Sequence, residues 1–198
     1  MALEGCLSVS DWQAQWSVLT HYPLKRIHVD VGCYRGRFLS HLAMMCPDEH
    51  VVGVEINSEY ADAANELCLG LGLENVSIVC GDALMFFRDA TPQSVISEVH
   101  IYFPTPYPRA IGQRHRLVSA AFIDAVHQAL LPGGSLRVLT DEVNYFGEIE
   151  SLFSPMRWWS SIWQPMSVGQ PTGFLAGTSS EARYRGEGRT IWALQALK

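Results

Sequence analysis

Short apolar runs alternate with amphipathic stretches along the first 141 residues of the chain. Runs of five or six mostly apolar residues indicate buried strands, and apolar positions three or four residues apart indicate helices. This alternation is typical of right-handed strand–helix–strand crossovers in a parallel sheet, so the fold class is α/β. The predicted strands are Arg26–Val31, Val51–Ile56, Val76–Cys80, Ser97–Tyr102 and Ser135–Leu139, and the predicted helices between them are Arg37–Met45, Ser58–Leu71 and Ala120–Leu131.

The two ends of the chain depart from this alternation. Residues 1–22 predict an amphipathic leading helix with Ser10 and Asp11 as caps. Beyond Asp141 the pattern indicates a helix, an aromatic segment that favours a core strand, a long polar loop that favours a functional flap, and a closing strand. The last two strands complete a seven-stranded, mostly parallel sheet. These segments are Glu142–Phe153, Arg157–Trp163, Gln164–Ser180 and Thr190–Leu197.

Composition narrows the class of protein. With 198 residues the chain is the size of one domain, 1–198. Its net charge of −6, with only two lysines against twelve arginines, predicts no broad cationic surface for binding nucleic acid. A local arginine patch is still compatible with these counts. The five scattered cysteines favour reduced core thiols. Without a basic and apolar start or a membrane-length apolar run, the chain is predicted to be cytoplasmic, with no membrane contact.

The segment His28–Gly36 predicts a strand, a tight glycine turn and the start of a helix. Glycine supplies backbone angles barred to other residues and lets the main chain approach a ligand. Asp30 stands at the end of this first strand, Glu55 at the end of the second and Asp82 after the third. A carboxylate at the position of Glu55 can accept the hydroxyls of a ribose. Three such acids favour a neutral or cationic adenosine ligand over a dinucleotide, whose phosphates they would repel.

These features resemble class I S-adenosylmethionine-dependent methyltransferases. More narrowly, the chain resembles the bacterial tRNA (guanine-N7-)-methyltransferase family, in order from about residue 28 to residue 197. The later motifs are far more specific than the glycine turn. They are Phe103-Pro104-Thr105-Pro106-Tyr107-Pro108-Arg109, Arg114-His115-Arg116-Leu117, Thr140-Asp141 and Thr178-Ser179-Ser180-Glu181.

The resemblance implies a Rossmann-like fold with helices on both faces of the sheet. It also implies S-adenosyl-L-methionine as cofactor, with S-adenosyl-L-homocysteine as product. Residues 23–141 would form the cofactor-binding core and residues 142–198 the acceptor side. Within the core, Asp82 would accept from the adenine amino group and Glu55 from the ribose. The implied cofactor-binding residues are Asp30, Gly32, Tyr34, Gly36, Glu55, Ile56, Asp82, Ala83 and Phe103.

On the acceptor side, Arg109, Asp141, Thr178 and Glu181 match positions that hold the guanine-bearing substrate in the family. Methyl transfer to a ring nitrogen with a lone pair needs no general base, so alignment and electrostatics can supply the catalysis. The candidate catalytic residues are Asp141, Thr105 and Glu181.

Alternative roles stay open for several of these side chains. Asp141 could instead cap the next helix, and Tyr107 could stack on a planar base or merely pack in a Pro-x-Pro turn. Five further arginines are candidates for phosphate contacts, the last three of which could instead solvate a turn. They are Arg114, Arg116, Arg183, Arg185 and Arg189.

Two departures from the family pattern indicate a divergent active site. Thr105 stands where the family normally has an aspartate, and its presence removes a charge that could stabilise a methylated, cationic ring. Tyr34 replaces the middle glycine of the turn, so its ring must point into solvent or into the acceptor pocket.

Three functions therefore compete. The first is an N-methyltransferase acting on a ring nitrogen of a guanine-like or other small heteroaromatic acceptor, as a monomer or homodimer. The second is the family activity on tRNA, at guanosine 46, and the third is a protein that binds the cofactor without methyl transfer. No metal is predicted, because the spacing of the histidines along the chain does not suggest a site. These histidines are His28, His41, His50, His100 and His127.

Overall fold

A computed structural model of the chain describes residues 7–19, 26–107, 116–153, 160–166 and 178–198. These residues form one eight-stranded sheet in the order β1-β4-β3-β2-β5-β6-β8-β7. The strands are β1 (Leu7–Ser8), β2 (Ile27–Val31), β3 (His50–Glu55), β4 (Val76–Cys80), β5 (Ile96–Tyr102), β6 (Leu130–Thr140), β7 (Ser160–Met166) and β8 (Ile191–Leu197). The helices are α1 (Val9–Leu19), α2 (Arg37–Met45), α3 (Ser58–Gly70), α4 (Ala83–Met85, continued by the π-helical turn Phe86–Ala90), α5 (Ala120–Ala129), α6 (Val143–Phe153) and α7 (Ser179–Gly186).

The mostly parallel sheet agrees with the sequence prediction. β1 to β6 pair in parallel, whereas β8 pairs antiparallel with both β6 and β7. All seven predicted strands are present within the described residues, and the two-residue strand β1 adds an eighth beside β4. β6 begins five residues earlier than predicted because Leu130 already pairs with Ile96 before the register shifts. Of the predicted aromatic segment, residues 157–159 lie outside the described ranges.

Three predictions about the helices are wrong. Ser8, and not Ser10, caps α1, because its Oγ accepts from the Asp11 amide at 3.1 Å while Asp11 accepts back from the Ser8 amide. The helix predicted at Ala120–Leu131 ends at Ala129, because Leu130 and Leu131 already belong to β6. The third error concerns α7, which occupies a stretch predicted to be a loop and a turn.

The apolar core lies on both faces of the sheet. Val52 and Val79 belong to the larger cluster, which α1, α5 and α6 cover, whereas Val51 and Ile78 face α2 and α3. Side chains alternate between the faces of a strand, so these neighbours point in opposite directions. Among the described residues, no helix is both long enough and apolar enough to cross a membrane.

A column of polar side chains interrupts this apolar packing at the centre of the sheet. The parallel register places His28 opposite Glu98 and Asp30 opposite His100. His28, Asp30 and His100 are all buried, although parallel strands covered on both faces are usually apolar throughout. The column leads along β2 and β5 to the edge of the sheet where the predicted cofactor residues lie.

Candidate active site

Three predicted acids lie at the carboxyl ends of neighbouring parallel strands. Asp30 is next to the last residue of β2, Glu55 ends β3, and Asp82 follows β4. Because these strands are adjacent, their ends share one edge of the sheet, where ligands of open α/β folds bind. Burial, and after it the negative charge of Glu55, raises the pKa of Asp30 to about 8. At neutral pH Asp30 is therefore mostly protonated in the ligand-free protein, and a cationic ligand at this edge would favour its ionised form.

Glu55 also holds the glycine turn in place. Its Oε2 accepts from the Tyr34 amide at 2.9 Å, and its Oε1 accepts from the Asn57 amide at 2.9 Å. Each carboxylate oxygen has more than one acceptor site, so the hydroxyls of a ribose could still bind there. Asp82, by contrast, is exposed, and its Oδ1 accepts from the Met85 amide at 3.0 Å to cap α4.

The turn between β2 and α2 has three residues in the left-handed region. Gly32, Tyr34 and Gly36 have φ angles of 73°, 52° and 75°. A Cβ on Gly36 would lie 3.0 Å from the Cβ of Ala64, so only glycine fits there without a shift of α3. A Cβ on Gly32 would meet nothing within 4 Å, which leaves open space on the ligand side of the turn.

Tyr34 fits the turn by pointing its ring into solvent, which is one of the two orientations predicted for it. The ring is 49 % exposed and lies edge-on to Tyr60 of α3, with 4.3 Å between centroids. The Arg35 guanidinium lies 5.6 Å from the Tyr34 centroid and 5.7 Å from that of Tyr60. These contacts offset part of the strain of a non-glycine residue at positive φ.

The remaining predicted cofactor residues differ in exposure. Ile56 is 72 % exposed next to Glu55, whereas Ala83 is buried. Phe103 has a φ of 56° and donates its amide to the Leu139 carbonyl at 2.7 Å. Its ring lies 5.2 Å from that of Tyr184 in α7, so the loop after β5 contacts the predicted acceptor side.

The loop after β5 carries Thr105 and Tyr107, which are both exposed. Arg116 holds this loop through its nearly buried side chain, because its guanidinium donates to the Pro106 carbonyl at 2.5 Å and pairs with Glu148. Arg116 therefore serves the loop, and these contacts do not favour its predicted role as a phosphate contact. Arg109 and Arg114, the neighbouring candidates, lie outside the described residues.

Asp141 follows β6 and does not cap the next helix. Its Oδ2 accepts from Arg189 Nη1 at 2.7 Å, and the same guanidinium pairs with Glu187. The cap of α6 is Glu142, whose Oε2 accepts from the Tyr145 amide at 2.6 Å. Of the two roles considered for Asp141, the helix cap is thus wrong, and the carboxylate remains a candidate on the acceptor side.

Thr178 and Glu181 begin α7 at the same edge of the sheet. Thr178 Oγ1 accepts from the Glu181 amide at 3.0 Å, which is the cap of the helix. Arg37 in α2 donates to Ser179 Oγ at 3.4 Å, so α7 contacts the helix that follows the glycine turn. The predicted cofactor and acceptor residues therefore border one site.

Glu181 is the most unusual carboxylate of this site. It is 4 % exposed, and its Oε1 accepts from Arg185 Nε at 2.8 Å. Among the described residues, its Oε2 is buried without a hydrogen-bond partner. Leaving a charged acceptor buried and unsatisfied costs free energy, so a buried polar atom of this kind is normally matched by a ligand or water.

Tyr102, which interacts with groups on both sides of the site, is absent from the site residues predicted from the sequence. Burial is the main reason that the pKa of Tyr102 is raised, and the charges of Asp30 and Glu181 contribute to the same direction. Its hydroxyl lies 2.9 Å from His100 Nδ1. The signal that could have found Tyr102 is the polar residue at every second position of β5, because this spacing places the three side chains on one face of the strand. These residues are Glu98, His100 and Tyr102.

The arginines of α7 and the turn after it do not form a free cationic patch. Arg185 pairs with Glu181, Arg189 with Asp141, and Arg183 lies 3.8 Å from Glu187. These pairings do not favour their predicted role as phosphate contacts.

Comparison with known proteins adds a family and a set of relatives. Residues 25–194 match the model of the family described as "Putative methyltransferase". The tRNA (guanine-N(7)-)-methyltransferase of Rubrobacter xylanophilus is 27 % identical over 175 residues, which is 87 % of this chain and 76 % of that protein. The enzyme of the same name from Nitrosococcus oceani is 28 % identical over 84 % of this chain and 69 % of its own length.

Solved structures show the same fold. A SAM dependent methyltransferase from Aquifex aeolicus matches with a TM-score of 0.61 at 16 % identity, over 92 % of this chain and 88 % of its own. The phosphoethanolamine N-methyltransferase 2 of Haemonchus contortus, solved in complex with S-adenosyl-L-methionine, matches with a TM-score of 0.59 at 15 % identity, over 99 % of this chain and 54 % of its own. The predicted Rossmann-like class of fold is confirmed by these matches.

Proposed function

The chain belongs to the methyltransferase family whose model spans residues 25–194, and from that membership we propose that it methylates N7 of a guanosine in tRNA, using S-adenosyl-L-methionine. The named relatives that align over most of the chain support this acceptor, because both are tRNA (guanine-N(7)-)-methyltransferases. The single observation that carries the proposal is the buried, unpartnered Oε2 of Glu181 at the cofactor edge.

The residues at the strand ends fit the cofactor. A sulfonium and an amino group carry positive charge, which the negative charge of Glu55 would attract, and a bound cation would in turn favour ionisation of the buried Asp30 beside it. The open side of Gly32 leaves room for the ligand to approach the main chain. Asp82 uses Oδ1 as a helix cap and keeps Oδ2 for an adenine amino group. When bound, S-adenosyl-L-methionine supplies an electrophilic methyl group on sulfur.

On the acceptor side, the chain's task is to orient the base and to stabilise charge. The N7 lone pair forms the new bond to the methyl carbon as the carbon–sulfur bond breaks, so no proton has to be removed and the ring becomes cationic. Glu181 Oε2 can accept from the N–H groups of guanine, and its charge together with that of Asp141 favours the cationic product. Tyr107, exposed on the neighbouring loop, offers an aromatic face for the base.

A second candidate acceptor is a small heteroaromatic molecule. The observation that favours it is the pairing of Arg116, Arg185 and Arg189 with protein carboxylates, which leaves fewer cations for RNA phosphates. Thr105, which replaces the family's aspartate, is also consistent with a changed acceptor.

Transfer of a labelled methyl group distinguishes these functions. The chain is incubated with labelled cofactor and unmethylated tRNA, in parallel with guanosine and a panel of small heterocycles. We expect label in tRNA as 7-methylguanosine, and its loss when guanosine 46 is replaced by adenosine. The variant Thr105→Asp, which restores the aspartate that the family normally has, is assayed beside the wild type. Label in a small heterocycle alone would contradict the tRNA proposal. Absence of label despite measurable cofactor binding would indicate a protein that binds the cofactor without methyl transfer.

Replacing Arg116 by glutamine is expected to impair acceptor use while sparing the cofactor. The variant loses the contacts that fix the loop bearing Thr105 and Tyr107, and misplacement of a positioning loop costs on the order of tenfold in turnover or more. Methyl transfer and cofactor affinity are measured on the same preparation. The control is Arg88→Gln, since Arg88 is exposed and pairs with the adjacent Asp89. If Arg116→Gln lost cofactor affinity by the same factor as methyl transfer, the loop would be needed for the cofactor as well as for the acceptor.

A further inference from the structure

The polar column beneath the site brings together two histidines that are 72 residues apart in the sequence. His28 Nδ1 lies 3.3 Å from His100 Nε2. Glu98 Oε2 lies 3.9 Å from the former atom and 3.8 Å from the latter. The parallel pairing of β2 with β5 produces this juxtaposition, which spacing along the chain could not indicate.

Each member of this triangle has an outer partner on its opposite side. His28 Nε2 contacts the Glu49 carboxylate, His100 Nδ1 lies 2.9 Å from the Tyr102 hydroxyl, and Glu98 Oε1 accepts from Arg26 at 3.4 Å. If each ring donates its proton to this outer partner, both inner nitrogens present lone pairs to each other and to a carboxylate oxygen. Three convergent acceptors then require a cation, and outer carboxylates and hydroxyls that orient imidazoles are typical of metal sites.

The spacing of the three inner atoms suits a zinc-type ion. The circle through three atoms separated by 3.3, 3.8 and 3.9 Å has a radius of about 2.1 Å, and Zn²⁺ binds histidine nitrogen and carboxylate oxygen at about 2.0–2.2 Å. We propose that His28 Nδ1, His100 Nε2 and Glu98 Oε2 bind one zinc-type divalent cation. This proposal departs from the sequence-based expectation of no metal.

Arg137 competes with this cation. Its Nη2 lies 3.4 Å from the same Oε2 of Glu98, so occupancy requires the guanidinium to turn away from that oxygen. The competition gives the proposal a distinctive consequence, because removal of the arginine's charge should tighten cation binding. A group that was merely part of a structural hydrogen-bond network would not gain affinity in this way.

A second possible ligand group shares His28 but uses its other nitrogen. The ligand atoms of His28, Cys46 and Glu49 also lie within 4.8 Å of one another, and Nε2 is the nitrogen of His28 that contacts Glu49. This group is less suited to the cation, because Glu49 already serves as the outer partner of His28. The two groups are distinguishable, since only the second would supply a thiolate ligand.

Cation binding is tested on the full chain after treatment with a chelator. Zn²⁺ is titrated in competition with a chromophoric chelator, and Co²⁺ serves as the spectroscopic probe of the ligand set. We expect one ion per chain and a Co²⁺ spectrum without a thiolate charge-transfer band. Binding should weaken at least about 100-fold in His100→Gln and about 10- to 100-fold in Glu49→Gln, which removes only an outer partner. It should tighten in Arg137→Met, and His127→Gln on α5 is the control.

Three results would overturn the proposal. One is a folded wild-type protein without stoichiometric binding, in which case His100 Nε2 donates to His28 Nδ1 and the column is a hydrogen-bonded chain from Tyr102 to Glu49. Another is binding that survives His100→Gln and disappears in Cys46→Ser. The third is an unchanged affinity for the cation in both single variants, Glu49→Gln and Arg137→Met, which leave the three ligands in place. Circular dichroism of each variant establishes that the fold persists.

Discussion

Asp30→Asn is expected to stabilise the ligand-free protein at neutral pH while weakening cofactor binding at least tenfold. The pKa of Asp30 is about 8 in the folded chain, against 3.8 for an ordinary aspartate. Between these values unfolding releases a proton, so this residue makes the free energy of unfolding fall as the pH rises from about 4 to about 8. Asparagine resembles the protonated acid at every pH. The variant should therefore exceed the wild type by an upper bound of roughly 4 kcal/mol at pH 7.

Chemical denaturation at several pH values between 5 and 8 measures this effect. The difference between Asp30→Asn and wild type should widen as the pH rises. Asp124→Asn, which changes an exposed acid on α5, should show no such widening. A constant difference across the range would mean that Asp30 ionises in the folded state much as it does in the unfolded chain.

Glu181→Gln is expected to lower methyl transfer at least about 100-fold with cofactor affinity within about twofold of wild type. The amide oxygen of glutamine can still accept from Arg185, whereas its amino group takes the position of the unpartnered Oε2. Donor groups of the base would then meet another donor, and the negative charge near the reacting ring would be lost. Removal of one preorganised electrostatic partner commonly costs 100-fold or more in turnover, which sets the magnitude of about 100-fold.

Glutamine is preferred to alanine because its amide oxygen keeps the hydrogen bond from Arg185, whose guanidinium would otherwise lose this partner. Glu187→Gln near the end of the same helix is the control, since Glu187 is exposed and pairs with Arg183 and Arg189. Turnover, cofactor affinity and thermal unfolding are measured for both variants. Wild-type turnover in Glu181→Gln would remove this carboxylate from the acceptor site.

The central elements were predictable because strong local signals define their ends. The prediction for α2, Arg37–Met45, matches the structure, and so does the strand Val76–Cys80. Gly36 fixes the start of α2 through its positive φ, and the apolar run of β4 ends at a glycine. Glycine turns and apolar runs are properties of the local sequence, so no tertiary information is needed to find them.

α7 escaped prediction because it has no apolar face to reveal its period. Its residues are mostly polar, and its stability comes from the Thr178 cap and the ion pair of Glu181 with Arg185. The capping pattern Thr-x-x-Glu was present at 178–181 and was the signal that could have found the helix.

The polar column and the roles of the arginines depend on partners distant in the sequence. Sequence patterns cannot tell whether Arg116 meets solvent, a phosphate or the carbonyl groups of a neighbouring loop. The same is true of His28 and His100, because their meeting depends on which residues of β2 and β5 become opposite each other. Strand register is a tertiary property, so the cluster became visible only in the folded structure.

The placement of α7 between two antiparallel strands affects how such a protein can diverge. Among the described strands, β7 pairs with β8 and β8 pairs with β6, at the end of the sheet remote from β4. Changes in the connection that contains α7 can therefore alter the acceptor side without shifting the parallel strands that carry Asp30 and Glu55. A lineage could exchange one methyl acceptor for another by remodelling a single terminal segment, while its inherited machinery for the methyl donor stays untouched.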